Sequence, residues 1–516
     1  MGDYREYSLV ELDLDSVGIT LPFLEPDRHD STPLKSLPNS LVELDKDLIE
    51  STAVISVSAD ESGVYNFSSN TLSLSSHQVI MDGDDKVADV VIENGKVIVK
   101  SYTDKQINFL SDIATESLLI QSQGPICFTG KIDAEYMEYD VKALTFTGQV
   151  DCSGIINCKS KQGVAILGEV RADSLTIDAA YIHQTGIVRA ENYSITAQAL
   201  KQTNTAKTAA KNLSVVTEQC ELYGDITVDS GKCFLTANTL WLGDGLSQNL
   251  INLTSDHYIH TNYCKLSTNA QLKLGKKTSL TNTSQFIVDD VLALNKNTFC
   301  DLHSTDVSVK TIFSNGELTT DDCIMDVEKI DQSGILSSKK TKFNIAEEFS
   351  QVLGSTATIE SSKVTCKRSK VHGEFNLNES SYTGQDLDVF AGKCEIKNCD
   401  DVYLEKQLHI YTSAKASISK CNVEVGKSFN SNGDLTIDSS ELIASDMNVT
   451  KKPLSLVKSK LTIKKSCSIH QGLKSHESEI SSPSLVLRDE CDIDGLMLRV
   501  DKTMSLDSEK ATISRL

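Results

Sequence analysis

The sequence predicts an all-β, single-stranded parallel β-helix (β-solenoid) of about 20 coils with an N-terminal cap. Three observations lead there. The first is a column of apolar residues, Ile359, Leu377, Ile396, Ile418, Ile437 and Leu456, separated by 18, 19, 22, 19 and 19 positions. Three places after each comes a small residue (Ser362, Ser380, Cys399, Cys421, Ser440, Ser459), and five or six places after it a larger one (Val364, Tyr382, Val402, Val423, Leu442, Leu461). The second is a glycine-led unit of similar period further upstream. The third is composition: only seven prolines occur, four of them within the first forty residues, and aromatics make up 6%. A chain in which nearly every backbone N–H is needed in a ladder has little room for proline. A nineteen-residue unit of period-two strands cannot bury its own apolar face, so it stacks on copies of itself.

Residues 1–50 lack the period, carry Pro22, Pro26, Pro33 and Pro38, and are acidic, which reads as an N-terminal arm. Residues 51–120 read as a β-hairpin cap and the first coils. Within them, Val90-Val91-Ile92-Glu93-Asn94-Gly95-Lys96-Val97-Ile98-Val99 sets Asn-Gly between two apolar runs, the strongest short hairpin signal. A cap is expected because an open first strand would offer unpaired backbone groups to other chains. Residues 121–516 read as the β-helix. Gly130-Lys131-Ile132-Asp133-Ala134 opens it, and equivalents start at Gly148, Gly168, Gly186 and Gly224, after 18, 20, 18 and 38 residues. Each glycine supplies either a backbone angle or a close approach that another residue would resist. Alternation puts Ile132 and Ala134 inside with Lys131 and Asp133 outside, and likewise Ile418 and Ile437 inside with Asp438 outside. Between 245 and 345 the register is lost in places, and loop insertions are expected there.

The formal charge is −22, with 22 acidic against 8 basic side chains in residues 1–120 and 16 of each in 401–516. That balance argues against nucleic acid, which is held by clustered Lys and Arg, and against an anionic membrane surface. No apolar run approaches the roughly 18 residues that span a bilayer. The opening Met1-Gly2-Asp3-Tyr4-Arg5-Glu6 shows no basic-then-apolar signal and lacks a myristoylation Ser or Thr at Glu6. The expected location is cytoplasmic, or outside the cell by a signal-independent route. Fourteen cysteines follow the coil period instead of forming a compact framework, and free thiols in a reducing compartment are expected. Cys399 and Cys421 share one template position on successive coils, about 4.8 Å apart if the coils stack, a separation that a disulfide also tolerates.

The unit Gly-x-[Val/Ile]-x-[Ala/Cys] followed by [Leu/Tyr]-[Ser/Thr]-[Ile/Val]-x-Ala runs through Gly130 to Ala134, Gly168 to Ala179 and Gly186 to Ala197. It resembles the repeats of bacterial filamentous-haemagglutinin-type exoproteins, well over residues 125–240 and loosely over 355–516. The resemblance implies right-handed winding and a role in adhesion, or as a host-directed effector scaffold.

No catalytic, cofactor or metal set is expected. The pairs Asp84-Asp85, Asp289-Asp290, Asp321-Asp322 and Asp400-Asp401 are adjacent in sequence, so on a strand their side chains leave opposite sides and cannot serve one substrate. They suit corners, where Asp is favoured. His257 and His260, with Cys264 following, fail as a metal set for the same reason. Cys152 with Cys158, and Cys394 with Cys399, lack structural-zinc spacing. A basic concentration at Lys451, Lys452, Lys458, Lys460, Lys464 and Lys465, with His470 and His476, fits a solvated exterior or an acidic partner. The expected function is therefore a non-catalytic binding or adhesion rod that engages a protein or glycan along an exterior sheet face. A polysaccharide lyase or hydrolase is one alternative. A filament segment self-associating through its end coils is the other.

Overall fold

The computed structural model describes residues 52–68, 77–228, 231–253, 256–274, 284–507 and 511–513. The acidic arm expected at 1–50 lies outside these. Among the described residues there are 40 strands and no helix. All strand pairings are parallel except two, which join His77–Asp82 to Asp85–Glu93 and Asp85–Glu93 to Lys96–Ser101. These two make the hairpins of the N-terminal region. The second turns at Asn94-Gly95, both with positive φ (48° and 74°), the geometry that a two-residue hairpin of this sequence requires.

Each later coil is a three-sided wrap. In the strand Glu169–Gln184, residues 169–172 form face A, 174–179 face B and 181–184 face C, and each stretch pairs with its equivalent in Ile187–Gln202. Burial alternates along the strand, so every second side chain enters a dry interior. The predicted column exists in register: Ile359 pairs with Leu377, then Ile396, Ile418, Ile437 and Leu456. All six are buried. A second column, on face C, is continuous from end to end. It runs from Phe67 through Phe109, Phe128, Phe146, Ile166 and Gln184, and onward to Leu222, Leu242, Leu266, Leu294, Gln351, Ile410 and Leu506. Its first four rings follow one another at centroid separations of 5.6, 4.9 and 5.9 Å, the first pair edge-to-face and the other two stacked. Twenty residues of this column fall between Phe128 and Leu506, one per coil.

Spacing along this column locates the insertions. From Leu242 to Leu266 is 24 residues and from Leu266 to Leu294 is 28, while Leu294, Ser314, Gln332 and Gln351 follow at 20, 18 and 19. The extra residues thus lie between 243 and 283, and coils are regular from 284 to 345.

Corner length explains the glycine dialect. Ser111, Gln471 and Asp489 take second place at the outermost corners where only two residues join face C to the next face A; at the two-residue corners between them it is glycine: Gly130, Gly148, Gly168, Gly186, Gly224, Gly316, Gly334, Gly373 and Gly433. None of these glycines has positive φ. A methyl group on Gly148, Gly168 or Gly186 would lie 2.2, 2.0 or 1.8 Å from the carbonyl oxygen of Gly130, Gly148 or Gly168. Close approach, not backbone angle, requires them. Where the corner has four residues, its last is small but not glycine, as in Ala206, Ala270, Thr298 and Ser355. A tight turn closes each of these, for example Ala206 N–H to Thr203 O at 3.1 Å. Two-residue corners after Gln184 and Gln332 and the four-residue corner after Gln351 receive the buried amide of that glutamine. Gln332 Nε2 donates to Gly334 O and Thr356 O at 3.2 and 2.7 Å, and Gln351 Nε2 to Ser355 O and Glu374 O at 3.3 and 2.7 Å.

The corner from face A to face B is built differently. Ser304, Asp322, Lys340, Ser361, Glu379, Asn398, Lys420, Ser439, Lys458 and Glu477 all hold φ between 46° and 55°. Each donates its N–H to the next coil, as Lys420 does to Asp438 O at 2.9 Å. The small residue that follows (Thr341, Ser362, Ser380, Cys399, Cys421, Ser440, Ser459, Ser478) points inward. Ser440 Oγ donates to Asp438 O at 2.7 Å and accepts from Cys421 N–H at 3.0 Å. A left-handed residue costs about 1–2 kcal/mol when it is not glycine. Here a backbone bond and a side-chain bond, repeated coil after coil, offset it.

Candidate interaction face

The three faces differ in what they show to solvent. Face A carries a ladder of opposite charges: Lys131 Nζ reaches Asp151 at 3.3 Å, and Arg171 and Arg189 share Glu169 at 2.9 and 3.2 Å. Face B between 174 and 216 is mostly Ser, Thr and Asn, with Asn212 Nδ2 donating to Asn192 Oδ1 at 2.8 Å across coils, and carries more charge towards the C-terminal coils. Face C and the corner after it hold Tyr181, Tyr223, Trp241, Tyr263, Phe313, Phe390 and Tyr411 on the outside, together with His183, His372 and His409. Face A has one such aromatic, Phe299, and face B has Tyr136, Phe234, Tyr258 and Tyr403. The aromatic side chains therefore single out face C.

Two stretches of it are dense. In the first, His183, Lys201, Glu221, Trp241 and Lys265 occupy one outward column on five successive coils. Lys201 Nζ lies 3.5 Å from Glu221 and 5.9 Å from the Tyr223 ring centre, and Lys265 Nζ lies 5.5 Å from that of Trp241. Tyr181 stacks on His183 at 6.4 Å. These side chains crowd each other enough to be half-buried. Burial, then the charge of Glu221, pushes the Tyr181 hydroxyl up to about 12. Burial and then Lys201 hold His183 below its ordinary value. At neutral pH the stretch thus offers neutral ring donors beside one Lys–Glu pair. Among the described residues, His183 Nδ1 and Trp241 Nε1 find no hydrogen-bond partner. The inserted loop 243–248 borders this stretch. Asn204 Nδ2 anchors it through Asp244 Oδ2 at 3.0 Å and Ser247 Oγ at 3.2 Å, and it presents Leu246 at 86% exposure.

The second stretch centres on Asp386 and Asp388. Buried Leu387 separates them, so both leave face C on the same side. Asp386 pairs in register with Arg368 and Gln407, and Asp388 with Lys370 and His409. Burial raises the Asp388 carboxyl above its ordinary value, an effect that nearby His409 opposes. Burial lowers His409, which Asp388 opposes in turn. Lys370 Nζ is 2.7 Å from Glu348, and Gln407 Nε2 is 3.4 Å from Asp388 Oδ1. Alongside, His372, Phe390, Tyr411 and His409 form one ring stack at 4.6, 4.3 and 3.9 Å. The rings cover one another's faces and turn their edges outward.

The residues singled out in the sequence are placed as follows. His257 is buried inside while His260 is outside, 2.9 Å from Asp289, so the two cannot share an ion. Asp85 opens the second strand of a hairpin, Asp290 lies at a register shift in the strand Gln285–Leu294, and Asp322 and Asp400 lie at corners. The C-terminal lysines are paired across coils: Lys460 with Glu441 at 3.1 Å, Lys464 with Glu424 at 3.2 Å and Lys458 with Glu477 at 4.0 Å. Among the described residues no three His, Cys, Asp or Glu side chains are placed to hold one metal ion. No described helix is long and apolar enough to cross a membrane. All fourteen cysteines are free thiols. The pair Asp386 and Asp388 stands in the sequence as Asp-x-Asp, the spacing that puts two side chains on one side of a strand. The Trp241 stretch left no local signal, because its members are 18 to 24 residues apart and meet only through coil register.

Comparison of the chain with protein-family models, with characterised proteins and with solved structures finds no match.

Proposed function

We propose that this chain is a non-catalytic binding rod that holds a protein partner along face C. One observation carries the reading: the single tryptophan and most outward aromatics collect on one face, interleaved with Lys201, Glu221 and Lys265. Interface anchors are enriched in Trp, Tyr and Arg, and depleted of isolated charge. A protein suits this face better than a sugar. Sugar rings need open aromatic faces, whereas the Trp241 ring already carries Lys265 over it and the 372–411 rings are stacked on each other. A partner that buries about 800 Å² per side must follow several coils. The resemblance to haemagglutinin-type repeats favours a partner displayed on another cell, or a host factor.

Asp386 and Asp388 favour a second reading, hydrolysis of a glycosidic bond, since that reaction uses two carboxyls, one of them with a raised pKa. One experiment separates the two. Photoreactive residues at Tyr223, Tyr411 and, on face B, Thr196 are introduced singly into the full chain, which is irradiated with extracts of candidate partner cells. The binding reading expects the same protein on Tyr223 and Tyr411, absent from Thr196, and lost when Trp241→Ala is added. Equal capture from face B contradicts it. Release of reducing ends from any of a panel of polysaccharides, abolished by Asp388→Asn, establishes the enzyme instead.

A further inference from the structure

Cys399 and Cys421 are alone among the fourteen cysteines in occupying one position on successive coils. Every other cysteine has a different residue type at the equivalent place on the coils either side. Both lie at the face A to face B corner, in a row whose nearest other members are Ser380 on one side and Ser440 and Ser459 on the other. Cys421 Sγ accepts the Cys399 backbone N–H at 3.4 Å, which brings its sulfur onto the coil of its neighbour. The Cys399 thiol points back to Lys397 O at 3.2 Å, and that of Cys421 to Ser419 O at 3.0 Å. Coil separation of about 4.8 Å falls within the Cα range that a disulfide accepts.

We propose that Cys399 and Cys421 are an oxidation site, which hydrogen peroxide converts into one disulfide that staples two adjacent coils. A Cys421 thiolate attacks one peroxide oxygen. The O–O bond breaks, the second oxygen takes a proton and leaves as water, and Cys421 becomes a sulfenic acid. The Cys399 sulfur then attacks the Cys421 sulfur. The S–O bond breaks, and the hydroxyl leaves as a second water with the proton of Cys399. Two thiols are thereby oxidised to one disulfide while one peroxide is reduced to two waters.

The environment divides the roles. The Cys399 side chain beside it, helped by the Cys399 backbone N–H, lowers the Cys421 thiol below its ordinary value, and the same contact together with burial raises Cys399. Isolated core thiols such as Cys394 and Cys467 are instead pushed up to about 12 by burial alone or nearly so. Thiolate character governs which sulfur reacts. Both side chains are buried, Cys399 at 0% and Cys421 at 3% exposure, but open space lies against the corner. A groove of about 420 Å³ runs along it, lined by Asn398 and Asp400, the two chain neighbours of Cys399, and by Ser380.

The test uses the full chain, treated with hydrogen peroxide while folded, then denatured, alkylated and digested with trypsin without reduction. The expected product is peptide 398–406 joined to peptide 421–427, two mass units below their sum, with the other twelve cysteines alkylated. The oxidised protein should unfold at a higher midpoint and return to the original one on reduction. Cys399→Ser and Cys421→Ser place in each corner the residue its neighbours already use, so both variants should fold, and neither should show the link or the shift. Recovery of both cysteines as alkylated thiols overturns the proposal. So does sulfinic acid at Cys421 without the link, or an equal midpoint shift in Cys421→Ser.

Discussion

Ile437→Asp should remove about 5 kcal/mol of stability, whereas Thr436→Asp, one residue away, should cost under about 1 kcal/mol. Ile437 is fully buried, stacked between Ile418 and Leu456, and surrounded by aliphatic side chains in every direction along the column. A carboxylate placed there loses its water with no partner to replace it, and the apolar contacts of the isoleucine go as well. Thr436 is on the outside of the same strand, where a new carboxylate stays hydrated and meets only screened repulsion from Asp434 and Asp438. Denaturant melts of the two variants give the comparison. Equal losses would mean that the strand's inside and outside have been assigned wrongly.

Gly168→Ala should cost about 3 kcal/mol or more, although it adds a single methyl group. The methyl would lie 2.0 Å from Gly148 O and 2.7 Å from Thr147 O, backbone atoms that cannot rotate away. To make room the coils must separate, and the adjoining bond from Gly168 N–H to Phe146 O at 3.1 Å is then strained. Alanine itself is compatible with the column, since Ala206 occupies it at the end of a four-residue corner. Lengthening the corner before position 168 by two residues, on the pattern Thr203-Asn204-Thr205-Ala206, should therefore restore most of the loss. Thermal melts of Gly168→Ala with and without the longer corner test this. No recovery in the lengthened chain would show that corner length is not what selects glycine.

Much of this architecture could be read from residue order, for a physical reason. Stacked coils repeat one environment at one interval, so Ile359 to Leu456 and Gly130 to Gly186 display in sequence the columns they form in space. The hairpin at Asn94-Gly95 was equally legible, because a two-residue turn with positive φ leaves few choices of residue. The charged left-handed corners at Lys340, Glu379 and Lys420 were not. Such backbone normally selects Gly or Asn, and here the inter-coil bonds override that preference. The glutamine caps were hidden too, since Gln332 and Gln351 meet their partners 23 to 24 residues away. Face C was the least legible part. Which outward side chains become neighbours depends on the exact length of every coil between them, and the two longest coils fall between Leu242 and Leu294, within and just beyond its aromatic stretch.

Spin-label distances along one outward column test the stacking itself. Glu360, Asn378, Lys397, Ser419, Asp438, Val457, His476 and Asp494 are register partners in that order, and Asp321 lies two coils before Glu360. With labels introduced through a noncanonical amino acid, so that the native thiols stay untouched, Asp494 is paired in turn with Ser419, Glu360 and Asp321. Four, seven and nine coil steps predict separations of about 19, 34 and 43 Å, rising in a straight line at about 4.8 Å per step. Distances that level off as the sequence separation grows, or that do not scale with the number of coils between the labels, would contradict the stacked-coil architecture.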